Sequence, residues 1–197
     1  MREHEYETEI DTRLEGKLGF DRVRTFVADR CSTEYAVTRV TEERFSNDPK
    51  VIRERLALTD EMRLIVMFEE NFPTNGYIDC LDFLKPLEKT GYTIDILSLG
   101  KLRTMVETVR KLTNFFMSIK DGVYPNLKRM SAPVLSFPEV QRRIDQILDK
   151  FGDVKDTASD KLLEIRRAIK TKEGAISKRA NAILKQAQAD GLVDEDA

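Results

Sequence analysis

Apolar residues recur with helical spacing along almost the whole chain. Positions three, four or seven apart mark amphipathic helices, and a small polar residue before them marks a helix start. The spacing predicts a first helix over Phe20 to Cys31, a second capped by Ser32 and a longer one entered through Asp48 and Pro49. A short helix over Leu81 to Leu87 follows. Little room remains for β-strands.

The widest apolar stripe follows the predicted cap Asp95. Nine apolar positions between Leu99 and Ile119 cover nearly half of that helix surface, which is typical of a central core helix. A further helix is predicted over Ser136 to Leu148, after a stretch interrupted by prolines. The predicted fold class is therefore all-α: a compact helical bundle with a long, projecting C-terminal helix. We expect the hub of the bundle to contain Leu56, Val66, Met105, Phe115 and Phe116.

The C-terminal helix is predicted to begin at Ser159 and to run for about eight turns, roughly 45 Å. A compact globule of 197 residues has a radius of gyration of only about 16 Å, so the helix would cross the body or project from it. Its apolar residues form a narrow seam, typical of a helix that packs on a partner helix: Leu162, Ile165, Ile169, Ile176 and Ile183. Because Lys172, Gly174 and Arg179 interrupt or weaken this helix, we expect a partner beyond Ala197 or in a second subunit. The predicted domains are an acidic extension (1–18), a helical core (19–151) and the first half of a lever helix (152–197).

Charge is distributed unevenly, although the net charge is only -2. Residues 1–18 carry six acids against three bases, and residues 160–189 carry eight bases against three acids. The candidate nucleic-acid contacts on the basic helix are Arg166, Arg167, Lys170, Lys178, Arg179 and Lys185. A solvated helix face, with local pairs such as Glu173 with Lys170 or Lys178, is the alternative that we favour, because no aromatic residue is interleaved to stack on bases.

The sequence offers no catalytic, cofactor-binding or metal-binding residues. Gly16-Lys17 and Gly100-Lys101 are both followed by Leu, where a phosphate-binding loop requires Ser or Thr. The single histidine, His4, cannot build a His-based triad or metal centre. The acids Asp153, Asp156 and Asp160 lack the Gly and Glu of a calcium loop, so we interpret them as turn and capping residues.

Two further features bear on the location of the protein. Cys31 and Cys80 stand far apart without a neighbouring Cys or His, which favours buried thiols in a reducing compartment. The sequence shows neither an 18-residue apolar run nor a secretory signal. We therefore expect a cytoplasmic protein without a membrane span.

Several segments together resemble one protein family. The strongest is GDVKDTASDKLLEIRRAIKTKEGAISKRANAILKQAQADGLVDEDA, with its D[ST]AS turn, LxxIRR helix start and final GLV. It is similar to the N-terminal core and lever region of the second bacterial MutS family, the MutS paralogues with a small-MutS-related tail. KLGFDRVRTFVADRCSTEYAVTRV and GYTIDILSLGKLRTMVETVRKLTNFF resemble that family's first helical pair and its central helix.

The resemblance implies a parent protein that is a dimeric, DNA-binding ATPase with an endonuclease tail. ATP and magnesium are implied as cofactors of that parent, and branched DNA, recombination intermediates and collided ribosomes as its targets. Here the chain would relay motion between a clamp and an ATPase domain, with no active site of its own. Two alternatives stay open: a helical adaptor or dimerisation module that uses the long helix, and direct nucleic-acid binding by the basic face.

Overall fold

The structure, a computed structural model, describes residues 13–192. Residues 13–18 are helical, and the later elements are α1 (Phe20–Ala28), α2 (Glu34–Glu42), α3 (Pro49–Phe68), α4 (Leu81–Leu84), a 3-10 turn (Lys85–Glu88), α5 (Ile96–Ser118), α6 (Pro125–Ser131), α7 (Pro138–Ile147) and α8 (Asp160–Ala189). Within the described residues the only β-type pairing is an isolated bridge between Leu148 and Val154. The predicted all-α class is confirmed.

Contacts divide the chain into two compact units, with the boundary after Gln141. The first unit contains α1 to α6, and the second contains the turn after α7 and the whole of α8. This division into two units does not test the predicted domain boundaries or the projection of α8, and both stay predictions. Residues 1–12 of the predicted acidic extension lie outside the described residues, as do residues 193–197.

Side-chain caps mark the starts of α2, α3, α5 and α8. Asp48 accepts a hydrogen bond from the Lys50 amide (2.8 Å), Asp95 from the Ser98 amide (2.9 Å) and Ser159 from the Leu162 amide (3.2 Å). These three predicted caps are confirmed. The predicted cap Ser32 is wrong by one residue, because the extended residue before α2 is Thr33 and its hydroxyl accepts from the Ala36 amide.

The core of the first unit lies where α3, α5 and α6 meet. Ile65, Phe115, Phe116, Tyr124 and Leu127 are buried there together, and the rings of Phe115 and Phe116 meet edge to face with centroids 5.2 Å apart. The predicted core positions Phe115 and Phe116 are thereby confirmed.

The other predicted hub positions differ from the observed core. Leu56 and Val66 were wrongly assigned, since each is more than 60% exposed, and Met105 is half-buried. A helix turns by about 100° per residue, so the full burial of Ile65 directs its neighbour Val66 away from the core.

Glu61 on α3 caps the start of α6, although the two are far apart in the sequence. Its carboxylate accepts hydrogen bonds from the Asn126 amide (3.1 Å), the Asn126 side chain (2.7 Å) and the Leu127 amide (2.8 Å). Tyr124, the residue before the helix, makes no cap of its own; its hydroxyl donates to Glu69 (3.0 Å). Because a charged group is tolerated inside a protein only when hydrogen-bonded, these contacts explain how Glu61 can be buried.

The two cysteines differ in their surroundings. Cys80 is buried and Cys31 is only half-buried, and both are free thiols. Burial raises the pKa of the Cys80 thiol. The predicted burial is therefore confirmed for Cys80 and wrong for Cys31, which follows the short helix α1 rather than the core.

Candidate helix-packing interface

A tight turn leads the chain into α8. Leu148 and Val154 form the antiparallel bridge, the Lys155 amide donates to the Ile147 carbonyl (2.8 Å) and the Asp149 amide donates to the Asp153 carbonyl (2.8 Å). The Asp149 side chain accepts two further backbone amides inside this turn. Leu148 is fully buried, so the turn is a fixed base for the helix that follows it.

Arg166 connects the first turns of α8 to this base. Its guanidinium donates to the Asp156 carboxylate and to the Val154 carbonyl (3.2 Å), and Lys170 lies 3.7 Å from the same carboxylate. The hydrogen bond from Arg166 holds the pKa of Asp156 below its usual value. Asp156 therefore forms an ion pair instead of acting as a cap, and Lys170 lies beside Asp156 rather than pairing with Glu173.

The seam residues of α8 are largely uncovered. No residue of this 30-residue helix is buried, and Ile165, Ile169, Ile176 and Ile183 are between 46% and 68% exposed. Leu162, nearest the base, is half-buried. One face of α8 thus presents a row of isoleucines that the described residues 13–192 leave open to a further helix.

Basic residues occupy the opposite face. Arg167, Lys178 and Lys185 are each two positions away from a seam isoleucine, a rotation of about 200° on a helix. All three are exposed, and none forms an ion pair with another described residue. The candidate nucleic-acid contacts therefore separate into the tethered Arg166 and Lys170, a free basic face, and Arg179, which borders the seam.

The two glycines that precede a lysine lie in helices. Gly16 falls in the helical residues 13–18, and Gly100 falls inside α5. Across residues 13–192, no group of three His, Cys, Asp or Glu side chains is placed to hold a metal ion. In the same range, every helix is too short or too polar to cross a membrane.

Comparisons with known proteins show which proteins this helical chain is similar to. No protein-family model matches it. Proteins named "Endonuclease MutS2" from Listeria innocua and Geobacillus sp. are each 24% identical to it over 188 residues, which is 94% of this chain and 24% of the relative. The protein of that name from Clostridium perfringens is 26% identical over 177 residues. The chain is related to the MutS2 endonucleases.

This relationship confirms the family resemblance seen in the sequence. The chain spans about a quarter of the length of the curated MutS2 relatives that it matches. The matched region includes most of the described residues, so the relationship concerns both the helical core and α8.

Proposed function

We propose that this chain is the helical core and lever segment of a MutS2-type DNA-repair protein, and that it has no catalytic site of its own. The observation that carries the proposal is the uncovered isoleucine seam of α8 in a chain related to proteins four times as long. In this proposal the seam packs on a helix supplied by the rest of a longer parent protein. Endonuclease activity, ATP and magnesium would belong to other parts of that cytoplasmic parent.

The size of the exposed seam supports a packing role. Burying an isoleucine fully contributes about 1.5–3 kcal/mol, so covering the exposed halves of four isoleucines would contribute about 3–6 kcal/mol. An isolated helix that contains Gly174 gains little stability from propensity alone. A partner helix would therefore stabilise the outer part of α8, which the base at Asp156 does not reach.

A relay role needs a rod that is fixed at one end. The bonds of Arg166 to Asp156 and Val154 supply a fixed end, and the continuous 30-residue helix supplies the rod. Motion of a partner packed on the seam would then be passed to the base as a change between two packing arrangements. DNA is the target of the parent in this proposal; dimerisation and ribosome binding would likewise be properties of the parent.

The test uses a full-length MutS2-type protein that carries this segment, with Ile169 and Ile176 both replaced by Ala. The measurement is the dissociation constant for branched DNA in the presence of ADP and of a non-hydrolysable ATP analogue. We expect the ratio of the two constants to move towards one, while DNA and nucleotide each still bind. A ratio that is unchanged from the parent protein would reject the relay.

The matched control replaces Arg167 and Lys178 by Ala on the opposite face of the same helix. The relay predicts that this control keeps the nucleotide-dependent ratio. Direct nucleic-acid binding by the basic face would instead weaken DNA binding in both nucleotide states. It would also reduce the slope of log affinity against log salt concentration by roughly one for each lost phosphate contact.

The exposed seam also fits a second candidate, an adaptor or dimerisation module. Analytical ultracentrifugation of the 197-residue chain distinguishes it. Concentration-dependent self-association that disappears in the double isoleucine variant would support that candidate over the relay.

A further inference from the structure

A second uncovered apolar surface lies in the first unit, among α1, α2 and the start of α3. It is a groove of about 680 Å³. Its apolar lining is Phe20, Val23, Val27, Val40, Phe45, Ile52 and Leu56. The groove shares no residue with the α8 seam, so an inference about it does not rest on the proposed function.

The helices that form this groove are poorly covered. Neither α1 nor α2 contains a single buried residue. Val23 and Val27, one turn apart on α1, are both close to half exposed, and the ring of Phe45 contacts Phe20 at the edge of the groove (centroids 5.4 Å apart). Such a contiguous apolar surface is typical of an interaction site rather than of scattered exposed residues.

Arginines border the groove, and two of them form no ion pair with a described residue. Arg24 pairs with Glu15 through two hydrogen bonds (2.6 and 2.9 Å), and Arg55 pairs with Glu43 (2.6 Å).

Within residues 13–192, Arg44, by contrast, donates only to the backbone carbonyls of Thr41 and Glu43, and Arg39 makes no hydrogen bond or ion pair. The border therefore carries an excess of positive charge that an acidic partner would neutralise.

We propose that this groove binds an amphipathic helix that has an apolar face flanked by acidic residues. The apolar stripe of α1 from Phe20 to Val27 extends over eight residues, roughly 10 Å from first to last, which matches about two turns of a bound helix. A helix laid in the groove covers the valines with its apolar face and places carboxylates beside Arg39 and Arg44. This is the helix-in-groove mode of recognition, with the charges selecting the partner.

Fluorescence anisotropy with two synthetic peptides and the 197-residue chain tests the proposal. Each peptide has about 18 residues, or five helical turns, with Leu and Ala on one face. One has Glu at the flanking positions, the other has Lys there, and both carry fluorescein. We expect saturable binding of the Glu peptide and at least about tenfold weaker binding of the Lys peptide. No binding of the Glu peptide, or equal binding of both, overturns the proposal.

Charge reversal at Arg39 gives the decisive variant, because its side chain has no partner among the described residues whose loss could disturb the fold. Arg39→Glu should weaken binding of the Glu peptide about tenfold and strengthen binding of the Lys peptide. Arg22→Glu is the control, since Arg22 lies on α1 but does not line the groove. An equal effect of both reversals would show a general charge effect and overturn the assignment of the groove.

A second variant, Val27→Asp, tests the apolar lining of the groove. It should remove binding of both peptides while leaving the far-UV circular dichroism spectrum of the chain unchanged. If this variant is unfolded, the Arg39 charge reversal decides alone. Retained binding by a folded Val27→Asp chain contradicts the proposal.

Discussion

Replacing Glu61 by Ala should be among the most damaging single changes in the first unit. The carboxylate sits on α3 and is buried, and it is the shared acceptor for two backbone amides and one side-chain amide at the start of α6. Alanine would remove all three hydrogen bonds at once and leave the buried Leu127 amide without an acceptor.

The expected loss follows from the number of contacts and their burial. A hydrogen bond to a charged acceptor contributes about 1.5–3 kcal/mol, and a buried donor left unsatisfied costs about 1–3 kcal/mol. Asn126 is less enclosed than Leu127 and can turn to water, so the three contributions do not add fully. We therefore expect the free energy of unfolding to fall by about 3 kcal/mol, a large part of the stability of an ordinary domain.

Urea denaturation followed by circular dichroism at 222 nm measures this loss. Glu54→Ala is the matched control, because Glu54 lies on the same helix and faces Arg129 of the same α6, but as an exposed pair at 3.5 Å. Such a surface pair contributes about 0–1 kcal/mol. If the two variants unfold at the same urea concentration within error, the idea that Glu61 caps α6 is refuted.

Two further changes test other contacts in the first unit. The hydrogen bonds from Arg110 lower the pKa of Glu107 from 4.5 to about 2. Ionised Glu107 should therefore stabilise the fold fully above pH 4.5, and this stabilisation should be lost as the pH falls towards 2. In urea titrations, the difference in free energy of unfolding between the native chain and Glu107→Gln should shrink over that range. Gly76→Ala should destabilise by about 1–3 kcal/mol, because φ is 83° and a Cβ would overlap the Thr108 hydroxyl. Thermal melts of both variants separate the two causes, because Gly91→Ala has the same backbone strain (φ 88°) but open space around it, and so lacks the overlap.

The sequence predicted helix starts well where the cap and the helix are neighbours in the chain. Asp48, Asp95 and Ser159 each bond to an amide two or three residues later, so their signal is entirely local. The start of α6 was missed because Pro125 was interpreted only as an interruption, although proline suits the first turn of a helix. Its cap, Glu61, is 65 residues away, and no local pattern indicates it.

Which face of a helix is buried was harder to predict than the helix itself. α3 carries apolar residues around much of its circumference, so periodicity could not distinguish Ile65 from Val66. Only the position of α5 and α6 beside it selects Ile65. The candidate surfaces follow the same rule: the α8 seam was predictable because a narrow stripe has one orientation, whereas the groove combines residues from three helices and a loop.

The two uncovered apolar surfaces share one electrostatic property. On α8, Lys172 and Arg179 lie three or four positions from seam isoleucines, and so does one acid, Glu173, so these three residues leave a net positive charge beside the seam. In the first unit, Arg39 and Arg44 border the groove. A helix that covers either surface gains more from acidic than from basic flanking residues, because like charges across an interface are destabilising. In both proposals the net positive charge beside the surface therefore favours an acidic partner helix, whereas an apolar face alone would not be selective.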